Sequence, residues 1–489
     1  MADISKQLDA FFLRHEEEML EDLRRLIRIP SLRGEPSPGK PFGEEPARVL
    51  QEALSIARGY GFETHNFENY AGTVEFHGAQ GGAGASSDAK SEAGQAVETA
   101  LGILAHLDVM PEGVGWTYPP FDITCEGGRI YGRGTADDKG PAVAALYAMR
   151  AVKEICPELK KNVRLILGTD EESGSEDIAY YFKQQAPPPA VFTPDADFPV
   201  INVEKGRFMP TFGMQWEPFG PDANLPRVTK IHASERFNVV PHEATAVIEG
   251  LSPDTLKDVA EKIGRQTGVT FSVDEKSMRV TATGKSAHGS LPEDGNNALT
   301  ALLTLLAALP LADSPSTRTI LGLHEMFPHG DTKGEALGIA CCDEVSGALS
   351  MNFSICDLDE SGFTAGYDCR APICADQPEI VRTVAKKLAA FGAAFSDEGA
   401  VPPHHTPADT PFVQTLLRVY HNYTGNEAKC LSTGGGTYVH EIDGGVAFGC
   451  AMPGVDNHMH GADEFAVWED LVLSAKMFAQ VIVDMCGGE

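Results

Sequence analysis

The sequence contains no uninterrupted apolar run near the roughly 18 residues that a membrane-spanning helix needs, so no span is expected. Its first residues show no basic segment followed by an apolar core, so no secretory leader is expected. Basic residues are scarce, with 39 Lys and Arg against 70 Asp and Glu and a net charge of -31. This negative charge would repel nucleic acid and anionic membrane surfaces, which we exclude as partners.

The ten cysteines never occur in a CxxC spacing, and most of them lie in apolar sequence. That context favours reduced core thiols over disulfides and therefore predicts a cytoplasmic protein. A chain of 489 residues is too long for one ordinary hydrophobic core, so we expect two domains. Residues 78–98 are mostly small and polar without periodicity, and they predict a flexible surface insertion between two strands.

Short continuous apolar runs between residues 101 and 205 end in residues that can bind metal ions. Runs of this kind predict buried strands of a mostly parallel sheet flanked by helices, and hence an α/β catalytic domain. In open α/β sheets the functional site lies beyond the carboxyl ends of the strands. The four clusters are His106-Leu107-Asp108, Asp137-Asp138, Glu171-Glu172 and Asp195-Ala196-Asp197. A metal site is therefore the first hypothesis.

The first cluster combines histidine nitrogen and carboxylate oxygen, which zinc and similar ions take as ligands. His106 and Asp108 are two residues apart, so along a strand their side chains point the same way. Either both coordinate a metal ion, or Asp108 accepts a hydrogen bond from the second ring nitrogen of His106. Asp137 and Asp138 precede a predicted helix, whose first turn favours carboxylates. Capping explains one of this pair and leaves the other as a ligand.

Glu171 and Glu172 are adjacent in a predicted tight turn. One carboxylate of such a pair can bind metal while the other faces the open coordination position. A carboxylate beside a metal-activated water is the usual general base, whereas a solvated acidic turn is the alternative. Asp195 and Asp197 compete for a single ligand role, and the residues themselves leave that choice open.

Longer motifs surround these clusters and a histidine near the end of the chain. They are Gly132-Arg-Gly-Thr-Ala-Asp137-Asp138-Lys-Gly140, Glu171-Glu172-Ser-Gly-Ser175 and His460-Gly-Ala-Asp-Glu464. Together with His106-Leu107-Asp108, they resemble the dinuclear metallopeptidase family that includes carnosinase, glutamate carboxypeptidase, aminoacylase and succinyl-diaminopimelate desuccinylase. Residues 193–200, 236–241 and 432–438 are most similar to the bacterial PepV-type dipeptidases of that family. The resemblance covers nearly the whole chain.

The resemblance implies two divalent metal ions, with Zn²⁺ expected and Mn²⁺ or Co²⁺ as alternatives. The implied ligands are Asp137, which bridges both ions, His106 and Asp195 at one ion, and Glu172 and His460 at the other. Glu171 would be the general base, and Asp108 would orient His106. The family pattern selects Asp195 over Asp197 and His460 over His458.

The resemblance also implies an α+β lid domain at residues 206–400, inserted between catalytic segments 1–205 and 401–489. In this domain His288 would steady the tetrahedral oxyanion, and Asn238 would be a second oxyanion or substrate contact. Arg370 would grip the terminal carboxylate of the substrate, with a strand-end ion pair to Asp368 as the alternative. An insertion of this length matches the monomeric PepV-type enzymes rather than the dimeric relatives, so a monomer is expected.

Backbone N–H groups of Gly435 and Gly436 would bind the same carboxylate, with a plain turn as the alternative. The implied function is that of a metal-dependent dipeptidase, β-Ala-His-like or broad in preference, whose metal-bridging hydroxide attacks the peptide bond of small dipeptides. An N-acyl amino acid deacylase or desuccinylase with the same dinuclear site is the alternative. A non-catalytic metal or peptide binder is disfavoured because the proposed base, Glu171, is present.

Overall fold

The computed structural model describes residues 4–78, 99–217, 225–234, 236–396 and 400–487. Of the insertion predicted at 78–98, residues 79–98 lie outside this description. Within the described residues, no helix is both long and apolar enough to cross a membrane. The chain forms two compact units. The first comprises Met1–Asn202, His405–Leu431 and Gly436–Glu489, and the second comprises Val203–His404 and Ser432–Gly435.

Helices and strands occur in both units. The described α-helices are α1 (Ser5–Ile27), α2 (Glu44–Gly59), α3 (Lys139–Ile155), α4 (Glu176–Phe182), α5 (Pro253–Thr267), α6 (Ala298–Ala307), α7 (Pro315–Met326), α8 (Gln377–Phe391), α9 (Pro411–Thr424) and α10 (Trp468–Cys486). The described strands are β1 (Glu63–Phe67), β2 (Ala71–Phe76), β3 (Thr99–His106), β4 (Thr124–Glu126), β5 (Arg129–Tyr131), β6 (Asn162–Gly168), β7 (Val191–Thr193), β8 (Ala196–Asp197), β9 (Val200–Glu204), β10 (Gly206–Phe208), β11 (Thr211–Gln215), β12 (Arg227–Ala233), β13 (Glu243–Glu249), β14 (Thr270–Asp274), β15 (Arg279–Thr283), β16 (Cys342–Asp343), β17 (Gly347–Ala348), β18 (Ser350–Leu358), β19 (Gly362–Ala371), β20 (Ala394–Phe395), β21 (His404–His405), β22 (Cys430–Thr433), β23 (Val446–Ala447), β24 (Cys450–Ala451) and β25 (Phe465–Val467).

The first unit is built on a mixed sheet whose central strands, β6, β3, β7 and β23, run parallel. Strands β2 and β1 extend one edge in antiparallel pairing, and β9 pairs antiparallel with β23. The predicted α/β class is confirmed, with parallel pairing limited to the centre of the sheet. Strand β2 is antiparallel yet buried along its whole length. Burial on both faces of the sheet therefore does not determine strand direction.

Helices cover both faces of this sheet. Ile103 of β3 and Leu165 of β6 lie in the core that α3 and α10 cover. The next residues along these strands, Leu104 and Ile166, lie in a second apolar cluster with Ile178 of α4. Successive strand residues point to opposite faces, and both faces here are apolar. The polar side chains of the site are therefore displaced to the strand ends.

The second unit has an α+β fold, as predicted for the inserted segment. Its sheet is antiparallel in the order β14-β15-β13-β12-β18-β19-β11-β20, and β10 also pairs with β19. Strand β13 buries alternate residues, as expected when one face of a sheet packs on helices. Helix α5 contacts β14 and α6 contacts β13. Helix α5 begins where Ser252 accepts the backbone N–H of Thr255, and it ends at Gly268 in a left-handed conformation.

Candidate active site

His106 is the last residue of β3, and its position is held by the loop before α3. The backbone N–H of His106 donates to Oδ2 of Asp138 at 2.9 Å. Asp138 precedes α3 directly but makes no side-chain hydrogen bond to the first turn of that helix. Its carboxylate therefore anchors the end of β3 instead of capping α3.

The carboxylate of Asp137 lies between two histidines. Nε2 of His106 is 3.0 Å from Oδ1 of Asp137 and 3.5 Å from Oδ2 of Asp195. Nε2 of His460 is 2.9 Å from Oδ2 of Asp137 and 3.2 Å from Oε2 of Glu172. Two groups of possible metal ligands result, each with its donor atoms within 4.8 Å of one another, and Asp137 belongs to both. Asp137 can thus share its two oxygens between adjacent cations.

The donor atoms fit divalent cations. His106 is 1% exposed, and among the described residues its Nε2 has no hydrogen-bond partner of good geometry. Buried polar atoms nearly always have a partner. An imidazole nitrogen that faces two carboxylates offers a donor set suited to zinc, manganese or cobalt. These residues therefore fit a metal centre of the expected kind.

Asp108 connects the end of β3 to the turn that carries the two glutamates. Its Oδ1 and Oδ2 accept the backbone N–H groups of Glu171 and Glu172, each at 3.1 Å. Its Oδ1 also lies 3.4 Å from Nδ1 of His106, and its carbonyl oxygen is 3.1 Å from the same nitrogen. One side chain therefore holds the backbone of the glutamate turn and contacts the ring of His106.

Several carboxyl groups of the site are buried close together, which raises their pKa values. Burial raises the pKa of the Glu171 carboxyl well above its usual value. Burial and the nearby charge of Asp137 also raise the pKa values of Glu172 and Asp195. Hydrogen bonds to Asp137 and Glu172 raise the pKa of His460 to about 10. Such a concentration of negative charge is stabilised by a bound cation.

Four residues predicted to contact substrate lie in the second unit, namely His288, Asn238, Arg370 and Gly435. His288 and Asn238 are both exposed. They belong to neighbouring segments, because Gly289 donates its N–H to the carbonyl of Asn238 at 2.7 Å. Nδ1 of His288 lies 2.7 Å from Oγ of Ser290.

Arg370, at the end of β19, forms the ion pair with Asp368 that the sequence offered as an alternative. Its Nε and Nη2 donate to the two carboxylate oxygens of Asp368 at 2.7 and 2.9 Å. Its Nη1 donates to the carbonyl of Gly434 at 2.6 Å. The N–H of Gly435 donates to Oγ1 of Thr433 at 3.0 Å. Arg370 thus has a fixed orientation, and these bonds use three of its five N–H groups.

The structure places two further acidic residues beside the metal ligands. The sequence left open which of Asp137 and Asp138 caps the helix and gave Asp138 no other role, and it suggested no role for Glu464. Glu464 lies in the same motif as His460, and its buried carboxylate accepts the backbone N–H of Asp137 at 3.3 Å. The signal in the sequence was that Glu464 is an acidic residue inside the motif of His460 without a ligand role of its own. Its partner could not be identified because Asp137 is distant along the chain.

Comparison with known proteins gives matches along nearly the whole chain. A family model described as peptidase family M20/M25/M40 matches residues 102–484. The putative dipeptidase YtjP of Bacillus subtilis is 35% identical, over 97% of this chain and 98% of its own length. A Beta-Ala-Xaa dipeptidase of Lactobacillus delbrueckii subsp. lactis is 34% identical, over 97% of each protein.

Two solved structures show the same fold at low sequence identity. Human carnosine dipeptidase 1 has a TM-score of 0.57 at 16% identity, covering 99% of each chain. The aminoacylhistidine dipeptidase of Vibrio alginolyticus has a TM-score of 0.57 at 13% identity, covering 96% of each chain. At these identities the similarity concerns the fold.

Proposed function

Because this chain belongs to the peptidase family M20/M25/M40, we propose that it is a metal-dependent dipeptidase that hydrolyses the peptide bond of small dipeptides. The observation that carries this proposal is the position of Asp137. Its two oxygens face His106 and His460, and Glu171 lies in the turn that carries Glu172. A dinuclear hydrolase needs a bridging carboxylate, histidines on either side of it and a further carboxylate nearby that can act as a base. The relatives described as dipeptidases support the substrate class.

The proposed site holds two divalent ions, Zn²⁺ first and Mn²⁺ or Co²⁺ as alternatives. His106, Asp137 and Asp195 would hold one ion, and Asp137, Glu172 and His460 would hold the other. When bound, the ions would lower the pKa of a water at the site to about 7 and polarise the scissile carbonyl.

The protein residues would then move the proton. Glu171 is anchored through its backbone N–H by Asp108, which fixes where its carboxylate can reach. In its ionised form Glu171 takes a proton from the attacking water, and it returns that proton to the leaving amine. Burial raises its pKa, and a raised pKa makes the second transfer easier near neutral pH.

Residues of the second unit would bind the dipeptide itself. We assign His288 and Asn238 to the oxyanion and Arg370 to the free carboxylate of the substrate. The exposure of His288 and Asn238 supports this assignment because both side chains are accessible. The fixed fork of Arg370 supports bidentate recognition of a carboxylate through its remaining N–H groups. We also propose that the protein is a cytoplasmic monomer, which size-exclusion chromatography and cell fractionation can test.

The test is hydrolysis by protein that has been stripped with a chelator and refilled with Zn²⁺ or Mn²⁺. The substrates are β-Ala-His, several ordinary dipeptides, a tripeptide and N-acetyl and N-succinyl amino acids. We expect metal-restored cleavage of dipeptides only. Cleavage of the acylated amino acids alone would replace the dipeptidase with a deacylase or desuccinylase. No cleavage by protein that holds two ions would favour a non-catalytic binder.

A further inference from the structure

A buried ion pair outside the ligand set joins the two loops that carry Asp137 and His460. Arg133 is 1% exposed and Glu464 is 0% exposed. Nη1 of Arg133 donates to Oε2 of Glu464 at 2.5 Å. Neither residue contacts substrate or metal in the function proposed above.

The second oxygen of Glu464 organises the loop before α3. Its Oε1 accepts the backbone N–H groups of Gly134 and Ala136 at 3.0 Å each and that of Asp137 at 3.3 Å. Gly134 has a φ of +90°, a conformation that a residue with a side chain rarely adopts. Three convergent N–H groups on one carboxylate oxygen thus define the path of the backbone into Asp137.

Arg133 extends the same network to the loop after His460. Its Nη2 donates to the carbonyl of Gly461 at 3.1 Å and to that of Pro111 at 3.2 Å. The backbone N–H of Gly132 donates to the carbonyl of Glu464 at 3.0 Å. The peptide next to His460 and the peptides next to Asp137 are therefore fastened to one ion pair.

His106 is held by different contacts. It ends β3, its N–H is bound by Asp138, and its ring contacts Asp108. His460, by contrast, lies in a loop and not at the end of a strand. Its φ is 60°, and its side chain is 48% exposed. Loss of the Arg133–Glu464 pair should therefore disturb the position of His460 more than that of His106.

Burial of such a pair is not explained by stability alone. Apolar side chains of similar size often stabilise a fold as well as a buried ion pair does. Among the described residues, Nε of Arg133 also lacks a hydrogen-bond partner, which adds to the cost of burial. The advantage of the Arg133–Glu464 pair is therefore that it holds the backbone of the two loops in position.

We propose that Arg133 and Glu464 are positioning residues that set the distance between Asp137 and His460, and thereby the affinity of the ion site formed by Asp137, Glu172 and His460. The proposal rests on the proposed dinuclear function. Both ion sites share Asp137, but the pair should affect this site more than the other, because the other site takes its histidine from β3.

The experiment measures metal content and affinity directly. Glu464→Gln preserves the size of the side chain but removes its charge. The matched control is Glu75→Gln, because Glu75 is also buried and pairs with Arg164 at 2.6 Å in the same unit. Each protein is stripped, refilled with Zn²⁺, desalted, analysed for bound zinc and titrated calorimetrically. We expect wild type and Glu75→Gln to retain two ions and Glu464→Gln to retain one, with the lost site weakened roughly 10–100-fold.

Rescue separates positioning from general loss of structure. Excess Zn²⁺ should restore the second ion, and with it kcat, in Glu464→Gln. Arg133→Lys and Glu464→Asp, checked for folding by circular dichroism, provide the same measurement if Glu464→Gln does not fold. Two ions bound to the variants with wild-type affinity would overturn the proposal, as would equal weakening of both sites or a similar loss in Glu75→Gln. Bound zinc is measured without substrate. Wild-type protein that binds two ions but cleaves no dipeptide would therefore refute only the proposed function.

Discussion

The carboxylate of Asp108 accepts the backbone N–H of Glu171 at 3.1 Å. Asp108 follows β3 two residues after His106, so this bond ties the proposed base to the strand that carries a proposed metal ligand. Because this bond uses the backbone N–H, it positions Glu171 without engaging its carboxylate. A general base needs a fixed position and a carboxylate that can still accept a proton, and the contact is compatible with both.

Replacement of this base should separate chemistry from metal binding. Glu171→Gln retains the size of the side chain but cannot take a proton from water. We expect kcat on dipeptides to fall by about 10²–10⁴-fold, with bound metal near the wild-type amount because Glu171 belongs to neither ligand group. Steady-state kinetics and elemental analysis of the same sample provide the measurement. Substantial residual activity would show that another group takes the proton.

Metal binding should stabilise the protein through Asp195 and not through Asp197. A divalent ion at 100 times its dissociation constant adds about 2.7 kcal/mol to the free energy of unfolding. Asp195→Asn should lose much of the rise in melting temperature that Zn²⁺ produces, because Oδ2 of Asp195 faces His106. Asp197→Asn is the matched control, since Asp197 lies in β8 with an exposed side chain. The opposite ranking of the two variants would reverse the ligand assignment.

Arg370→Lys should weaken binding of substrates that have a free carboxylate. Lysine keeps the charge, and hence a partner for Asp368, but it cannot form a bidentate pair. Loss of a charge-assisted hydrogen bond should raise KM for a dipeptide about tenfold or more. The corresponding dipeptide amide, which lacks the carboxylate, should show little change relative to wild type. Equal effects on acid and amide would indicate that Arg370 serves only the ion pair with Asp368.

Tyr438→Phe should destabilise the metal-free protein more at pH 8 than at pH 6. Burial raises the pKa of Asp177 to about 7, and the hydroxyl of Tyr438, which donates to Asp177, opposes that rise. An unfolded aspartate has a pKa of about 3.9, so the folded chain binds this proton more tightly. The contribution of Asp177 to the free energy of unfolding is therefore complete below about pH 4 and is lost as the pH rises through 7.

Removal of the hydroxyl raises the pKa of Asp177 further and makes its ionised form costlier. We expect a loss of about 1.5–3 kcal/mol at pH 8 and a smaller loss at pH 6, measured as melting temperatures of chelated proteins. Tyr181→Phe is the control, because the Tyr181 hydroxyl accepts a hydrogen bond from Arg164 at 3.1 Å, and arginine stays charged at both pH values. A loss that is equal at both pH values in Tyr438→Phe would contradict this account.

The sequence by itself determined the fold class and the chemical nature of the site. Continuous apolar runs such as residues 101–105 predict buried strands, and parallel strands place their carboxyl ends at one edge of the sheet. The positions of His106 at the end of β3 and of Glu171 and Glu172 after β6 could therefore be predicted from local sequence. The donor types, histidine and carboxylate, then indicated a metal ion, and the longer motifs indicated the family.

Only the tertiary structure decided how these side chains face one another. The two oxygens of Asp137 point to different histidines, Asp138 holds β3 instead of capping α3, and Glu464 receives the N–H of Asp137. These contacts join segments that are far apart along the chain, so no local spacing specifies them. They depend on side-chain direction and on the packing of loops against the ends of the sheet, and this packing arises only when the chain has folded.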